Sequence, residues 1–472
     1  VAKVSLLTIK YTWKTDCRQE INALTLPRSL KLQAKAGESF MRYDAVVVGA
    51  GPAGSSAALH MAKNGLRVML LERGEFPGSK NMFGGVIYTQ PTAEIVPEFW
   101  REAPLERVVT RDNLWLLGQD SAVEIGFTGL RFAKAPYNKF TANRPLFDRW
   151  LAEKAVQAGT ILKTSTTARD LLYEKKTRKG PVRGVVLDDE TWIEADMVIL
   201  AEGVHASLAQ KAGLMGKTQD EFFSLWIREV ISLPAGTIEE RFLLEKNEGA
   251  VLAILGYPTT QAVGLAGIFT NKESLSVTLG MPVNKIAENR VYLADLLTRL
   301  KDHPYVRRLV SGGQSEGYSA HLIPRGGPAA MPKFYSDGIM VVGDAAIMIS
   351  GRRGSDLAML SGKMAGETAV QARARQDYSA GMLRDYERKL ERSFFMKNIR
   401  HAADTVKYYD RFGDADYLVN TSANDLSYEY FRVGMETDEE KIKKMSGLVL
   451  DKQSPVKSIN DLLAGLGNWG VL

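Results

Sequence analysis

Four short apolar runs frame the chain: Ala45-Val46-Val47-Val48, Val68-Met69-Leu70-Leu71, Met197-Val198-Ile199-Leu200 and Ile339-Met340-Val341-Val342. None alternates with polar residues. Uninterrupted, valine-rich runs of this length predict strands of a parallel sheet covered on both faces. Between the first two lies Pro52-Ala53-Gly54-Ser55-Ser56-Ala57-Ala58, a slim helix closed by Asn64-Gly65. Alternating segments predict more strands across 108–127, 160–170 and 182–187. A second group is expected at Phe222–Ile231, Arg241–Leu244, Gly249–Gly256, Gln261–Thr270 and Leu275–Met281. Leu146, Phe147, Trp150 and Leu151 fall at helical spacing, as do residues of Val291–Leu300 and of Asp377–Asp410. A short helix is expected from Pro91 to Trp100, with two more at Glu439–Lys444 and Ile459–Leu466.

The first strand runs into Gly49-Ala50-Gly51-Pro52-Ala53-Gly54, a Gly-x-Gly-x-x-Gly spacing at a strand-to-helix turn. Gly49 permits the tight turn, Gly51 admits a pyrophosphate to the backbone, and Gly54 lets helix and strand pack closely. The bare N–H groups of the helix start, with Pro52 and Ala53, face the phosphates. Glu72 ends the second strand, with Arg73 beside it, where a carboxylate accepts both hydroxyls of an adenosine ribose and repels a 2′-phosphate. These features predict a dinucleotide site and disfavour NADP. They leave NAD and FAD both open.

Two further acids end apolar strands: Glu202, followed by Gly203, and Asp344, preceded by Gly343. Ligands of open α/β sheets collect at such carboxyl ends. The helix after Gly354, through Ser355, Leu357 and Ala358, would offer its N-terminus to a flavin's pyrimidine edge. Gly84-Gly85 suits a backbone approached by a flat ligand. Arg144 opens a helix, where a cation is disfavoured. A bound phosphate would account for it, and so would an ion pair with Asp148.

Composition narrows the partners. The 472 residues carry a net charge of +6, which is modest for the length. No apolar run is long enough to span a membrane, so any membrane contact is peripheral. Nothing points to nucleic acid. Cys17 is the sole cysteine, and the five histidines show no metal spacing, so no metal or iron–sulfur cluster is expected in this chain. Residues 1–40 read as a basic extension, with Met41 as a candidate start.

The glycine loop, the late Gly343-Asp344-Ala345-Ala346 and the Leu357–Gly362 helix together resemble the FixC-type branch of electron-transfer flavoprotein:quinone oxidoreductases. These belong to the glutathione-reductase-like FAD superfamily, beside geranylgeranyl reductases. The stretch from Phe140 to Leu151 points to the same branch. The resemblance implies an α/β fold: a Rossmann FAD-binding domain (41–221 and 318–375, with a β-insert near 82–140), an inserted mixed β-sheet substrate domain (222–317) and a helical C-terminal region (376–472) for partner or membrane contact. It implies that Arg144 contacts FAD and that Asp344 takes the ribityl chain. Glu202-Gly203 replaces the family's usual Asp-Gly.

Single-chain family members carry a four-cysteine cluster, which one cysteine cannot hold. The resemblance therefore implies a separate ferredoxin-like iron–sulfur subunit of FixX type and an electron-transfer flavoprotein α/β heterodimer. Together these would form an electron-bifurcating complex that oxidises NADH and reduces ferredoxin and a quinone at the cytoplasmic membrane. No catalytic side chain is singled out. The quinone is expected near Phe83-Gly84-Gly85. A prenyl reductase and a purely electron-carrying subunit remain the alternatives.

Overall fold

The computed structural model describes residues 42–80, 84–175, 180–216, 219–259, 264–325, 327–351, 353–400, 422–450 and 454–468. The basic extension, Phe83, Arg352, His401 and the end of the C-terminal tail lie outside these residues.

The described residues open with β1 (Tyr43–Val48), α1 (Pro52–Lys63) and β2 (Val68–Leu71). It crosses to β3 (Gly85–Tyr88), α2 (Thr89–Ala93), β4 (Leu105–Leu117), β5 (Ala122–Thr128) and β6 (Lys139–Ala142). It returns through α3 (Arg144–Gln157), β7 (Ile161–Lys163), β8 (Ala168–Tyr173), β9 (Val182–Leu187), β10 (Trp192–Leu200) and α4 (Ser207–Lys211). The first sheet has eight strands, with the path β16-β17-β10-β1-β2-β7 once β16 (Tyr335–Ser336) and β17 (Ile339–Val341) join it. β1, β2, β7, β10 and β17 run parallel, so Glu72, Glu202 and Asp344 all follow strand ends on one edge. The four apolar runs are buried on both faces as their pattern requires, save Val48 at the end of the first, which is half-buried.

The second sheet has nine strands, in the order β15-β11-β14-β13-β12-β4-β6-β3, with β5 paired to β4. Its later members are β11 (Phe223–Ser232), β12 (Glu248–Gly256), β13 (Leu265–Thr270), β14 (Ser274–Pro282) and β15 (Gln314–Pro324). Strands from 85–142 and from 223–324 thus share one sheet. Beside it lie α5 (Ala235–Phe242), α6 (Val283–Asn289), α7 (Leu293–Asp302) and α8 (Pro304–Val310). α9 (Ser355–Arg375) then crosses α1, and α10 (Ala380–Arg392) and α11 (394–400) follow. The last helices are α12 (Ala423–Phe431), α13 (Asp438–Leu450) and α14 (Pro455–Asn468).

Three local expectations are corrected. Arg241 and Phe242 end helix α5, and no strand spans Arg241–Leu244. Ile238 and Phe242 are buried four residues apart, so the helical period prevails over the short apolar run. The helix from Pro91 stops at Ala93. Asp377–Asp410 is broken within its described part: Ser379 caps α10 at its start, and Ser393 adopts extended backbone at its end. Leu383, Tyr386 and Leu390 bury their face, and the Tyr386 hydroxyl donates to Val341 O at 3.0 Å, fastening α10 to β17.

Candidate functional site

Each loop glycine has its own reason. Gly49 adopts φ +101°, and a Cβ there would lie 2.3 Å from Ala201 O. On Gly54 a Cβ would lie 1.9 Å from Gly49 O, which is impossible without moving backbone. On Gly51 it would meet nothing within 4 Å, so open space adjoins the N-cap of α1. That open space at an uncapped helix start is the cradle an anionic group requires. Gly343 and Gly362 complete the packing: a Cβ on Gly343 would stand 2.7 Å from Ala53 Cβ, and one on Gly362 2.1 Å from Ala53 O. The Gly362–Ala53 contact, which the sequence reading missed, lets α9 press against the start of α1. Small residues on both helices were its only sequence signal.

The three strand-end acids serve differently. Glu72 is 9 % exposed and accepts from Ala50 N at 3.1 Å and Gly74 N at 2.7 Å, so it ties the glycine loop to the end of β2. A carboxylate has about four lone-pair sites, so acceptor capacity remains. Glu202 accepts from Ser207 Oγ at 3.0 Å, Leu208 N at 2.8 Å and Ala209 N at 3.1 Å. Both its oxygens are engaged by the start of α4, which accounts for this acid without a ligand. Burial pushes its carboxyl up and those N–H donors pull it back. Gly203 turns the chain at φ +68° with open space beside it. Asp344 is raised by burial, with Arg144 opposing.

Arg144 is the first residue of α3. Its Nε donates to Asp148 Oδ1 at 2.7 Å, its Nη2 to Asp148 Oδ2 at 3.0 Å, and its Nη1 to Ser355 Oγ at 2.7 Å. The ion pair is therefore present, and it also bridges α3 to the start of α9. Burial works against the Arg144 charge, yet Asp148 more than offsets it and holds the guanidinium above its ordinary value. Burial drives His321 of β15 down to about 4, aided by Arg144, His205 and Arg73. The guanidiniums of Arg144 and Arg73 thus lie close enough to disfavour a charge on His321, with Arg73 itself exposed. Sequence reasoning missed His321, which carries no motif.

Leu357 and Ala358 bury their side chains, so only their backbone is left to meet a ligand. Gly85 lies across the boundary on β3, paired with Ala142, and a Cβ there would meet nothing within 4 Å. On Gly84 a Cβ would fall 2.7–2.9 Å from the Arg228 guanidinium, which donates to Ser276 Oγ at 2.7 Å. Burial brings Arg228 down to about 10. Among the described residues, no group of three His, Cys, Asp or Glu side chains could hold a metal.

A parallel sheet with a glycine loop, a bare helix start and an acid ending the next strand defines a Rossmann-type dinucleotide-binding protein. The family model described as "FAD binding domain" matches residues 42–262, which makes it a flavoprotein. The chain is 40 % identical over 362 residues to Protein FixC of Azotobacter vinelandii, covering 76 % of this chain and 83 % of that protein. It is 37 % identical over 364 residues to the probable electron transfer flavoprotein-quinone oxidoreductase YdiS of Escherichia coli, covering 76 % and 84 %. The chain belongs to the FixC family of FAD-dependent electron-transfer oxidoreductases. Among solved structures it is similar to a geranylgeranyl bacteriochlorophyll reductase-like protein from Thermoplasma acidophilum. That likeness has TM-score 0.65 and 23 % identity, covers 87 % of this chain and 96 % of that one, and speaks to the fold.

Proposed function

We propose that this oxidoreductase takes electrons from an iron–sulfur cluster on a separate ferredoxin-like subunit and delivers them to a quinone. An electron-transfer flavoprotein α/β heterodimer supplies them within an NADH-oxidising, bifurcating complex. The observation that carries this is the single cysteine in a FixC-family chain, since a cluster needs four thiolates. The printed name of the YdiS relative supports a quinone as acceptor. FAD supplies the redox chemistry when bound, and the chain positions it. The start of α1 at Gly51–Gly54 faces the pyrophosphate, Glu72 takes the adenosine ribose, and Asp344 the ribityl chain. Gly354–Ala358 presents backbone N–H groups to the pyrimidine edge. Arg144 braces the start of α9 through Ser355. The quinone approaches at Gly85, where space is open. The proposed contact with the cytoplasmic membrane is peripheral; no described helix is long and apolar enough to cross one.

The test mixes the purified, FAD-loaded chain with its ferredoxin-like subunit, reductant and a water-soluble menaquinone analogue. Quinone-dependent flavin reoxidation that requires the subunit is the expected result. Saturation of a prenyl lipid, or no acceptor-dependent turnover, would overturn the proposal.

A further inference from the structure

The two faces of β11 are unlike. Leu225, Ile227 and Ile231 pack into the apolar core that α7 shares, and Glu229 on that face pairs with Lys301 of α7 at 2.6 Å. Trp226 and Arg228 take the other face, as alternation along a strand requires. Trp226 lies opposite His321 of β15, the histidine on which Arg144, Arg73 and His205 act. This face of the second sheet therefore looks towards the carboxyl edge of the first. Arg228 is 2 % exposed and is held by a line of buried hydrogen bonds. Its Nη2 donates to Ser276 Oγ at 2.7 Å, Asn271 Nδ2 donates to the same oxygen at 3.0 Å, and Asn271 O accepts from Arg107 Nε at 2.6 Å. The line runs from β11 through β14 to β4, which fixes the guanidinium in place. Gly84 lies against that guanidinium, which fills the place its side chain would take. The next residue, Gly85, has open space beside it. A guanidinium withdrawn this far from water is costly to keep. The Ser276 hydroxyl is neutral and holds the group without offsetting its charge. Bracing a turn would not by itself require a charge.

We infer that Arg228 is a positioning residue of the redox site, seating the Gly84–Gly85 turn and holding a fixed positive charge behind it. The inference rests on the reading that the cofactor and its acceptor meet the chain at Gly85. A cation fixed in a dry seam favours whichever form of a nearby ligand carries more negative charge. Reduction adds electrons, so Arg228 favours the reduced flavin and raises its potential. Arg228 need not touch the flavin for this: the turn sets the distance and the charge acts across it.

The test measures the midpoint potential of the FAD-loaded full chain against a reference dye, beside FAD affinity by fluorescence quenching of the apo chain. Arg228→Gln should make two-electron reduction about tenfold less favourable, a fall of about 30 mV. Arg228→Lys keeps the charge but not the planar fork, so its potential should stay within about twofold of wild type while FAD binding weakens. Ser276→Ala unties the guanidinium without replacing it and should make reduction about threefold less favourable. It carries the test if Arg228→Gln yields no folded protein. An unchanged potential in Arg228→Gln and Ser276→Ala would overturn the inference. So would an equal fall in Arg228→Lys, which would leave Arg228 a brace whose charge does nothing. If the potentials shift as expected in a chain that reduces no quinone, Arg228 keeps its role and the proposed acceptor falls.

Discussion

At the carboxyl edge of the first sheet, position is set by atoms that are missing. Gly49, Gly54, Gly343 and Gly362 each leave a neighbour where a Cβ would have to be. In the second sheet, position is set by a single large side chain. Arg107 of β4 is 3 % exposed and donates to Asn271 O, Glu248 O, Lys272 O and the Glu239 carboxylate at 2.6–3.0 Å. It thereby ties an early strand to α5, β12 and the β13–β14 turn. Both devices are exact in space, but they fail differently. Backbone contact tolerates no added atom, whereas a buried guanidinium tolerates no lost partner.

The largest effect expected is at Gly54. Gly54→Val places carbon against Gly49 O and should abolish folded, yellow protein, read as loss of soluble expression. Gly51→Ala lies three residues earlier and has open space around its new Cβ. It should fold with an unchanged apo Tm and lose roughly ten- to a hundredfold in FAD affinity, about 1.4–2.7 kcal/mol. If Gly51→Ala bound FAD normally, the open space would not be where the phosphates go.

Next comes the second sheet. Arg107→Met takes the guanidinium from three carbonyls and from Glu239, which keeps only Asn247 N, and should cost about 3–5 kcal/mol, measured by urea denaturation. If FAD release accompanies the loss at low urea, the two sheets unfold together. If a flavin-bound intermediate appears, they do not.

These two regions also differ in how much of each could be read beforehand. The glycine spacing, the apolar runs and Glu72 are local features of sequence, because the contacts they make lie within one strand–helix–strand unit. Arg107 reaches residues more than 130 positions away, and no periodicity marks it. Glu202 was harder to read for a related reason. A strand-end acid beside a glycine looks alike whether it faces a ligand or the next helix, and only the path of α4 decides. Arg144 showed both possibilities in the sequence, and the structure supplies Asp148 together with the unforeseen Ser355. His321 belongs to a strand of the second sheet but is perturbed by charges on the first, so it was not legible from either segment alone.

His321 probes the seam between the two regions. It titrates near 4 in the fold, against an unfolded value near 6.5. Its stabilising contribution is complete above pH 6.5 and is lost as pH falls towards 4, because the unfolded chain takes up the proton first. The loss amounts to at most about 3 kcal/mol. Chemical denaturation of wild type and His321→Gln between pH 7.5 and 4.5 should show a steeper decline in the wild type. Parallel curves would mean that the imidazole is solvated and the seam looser than described.

The smallest effect separates the strand-end acids. Glu202→Gln weakens the N–H contacts that hold the start of α4 and should cost about 1 kcal/mol, an ordinary helix-cap value. Its FAD affinity should change less than about twofold, because both carboxylate oxygens already have protein partners. Asp344→Asn should behave the other way. Replacing a carboxyl that burial already pushes up relieves strain on the empty fold, yet removes the acceptor charge assigned to the ribityl hydroxyls. Apo stability would hold or rise while FAD affinity falls about tenfold, or 1.4 kcal/mol. Titration of each apo variant with FAD by fluorescence quenching, beside its urea midpoint, distinguishes the two. Should Glu202→Gln lose as much affinity as Asp344→Asn, the acid following β10 must swing from α4 to the cofactor on binding, and the edge of the first sheet would be less rigid than its glycines imply.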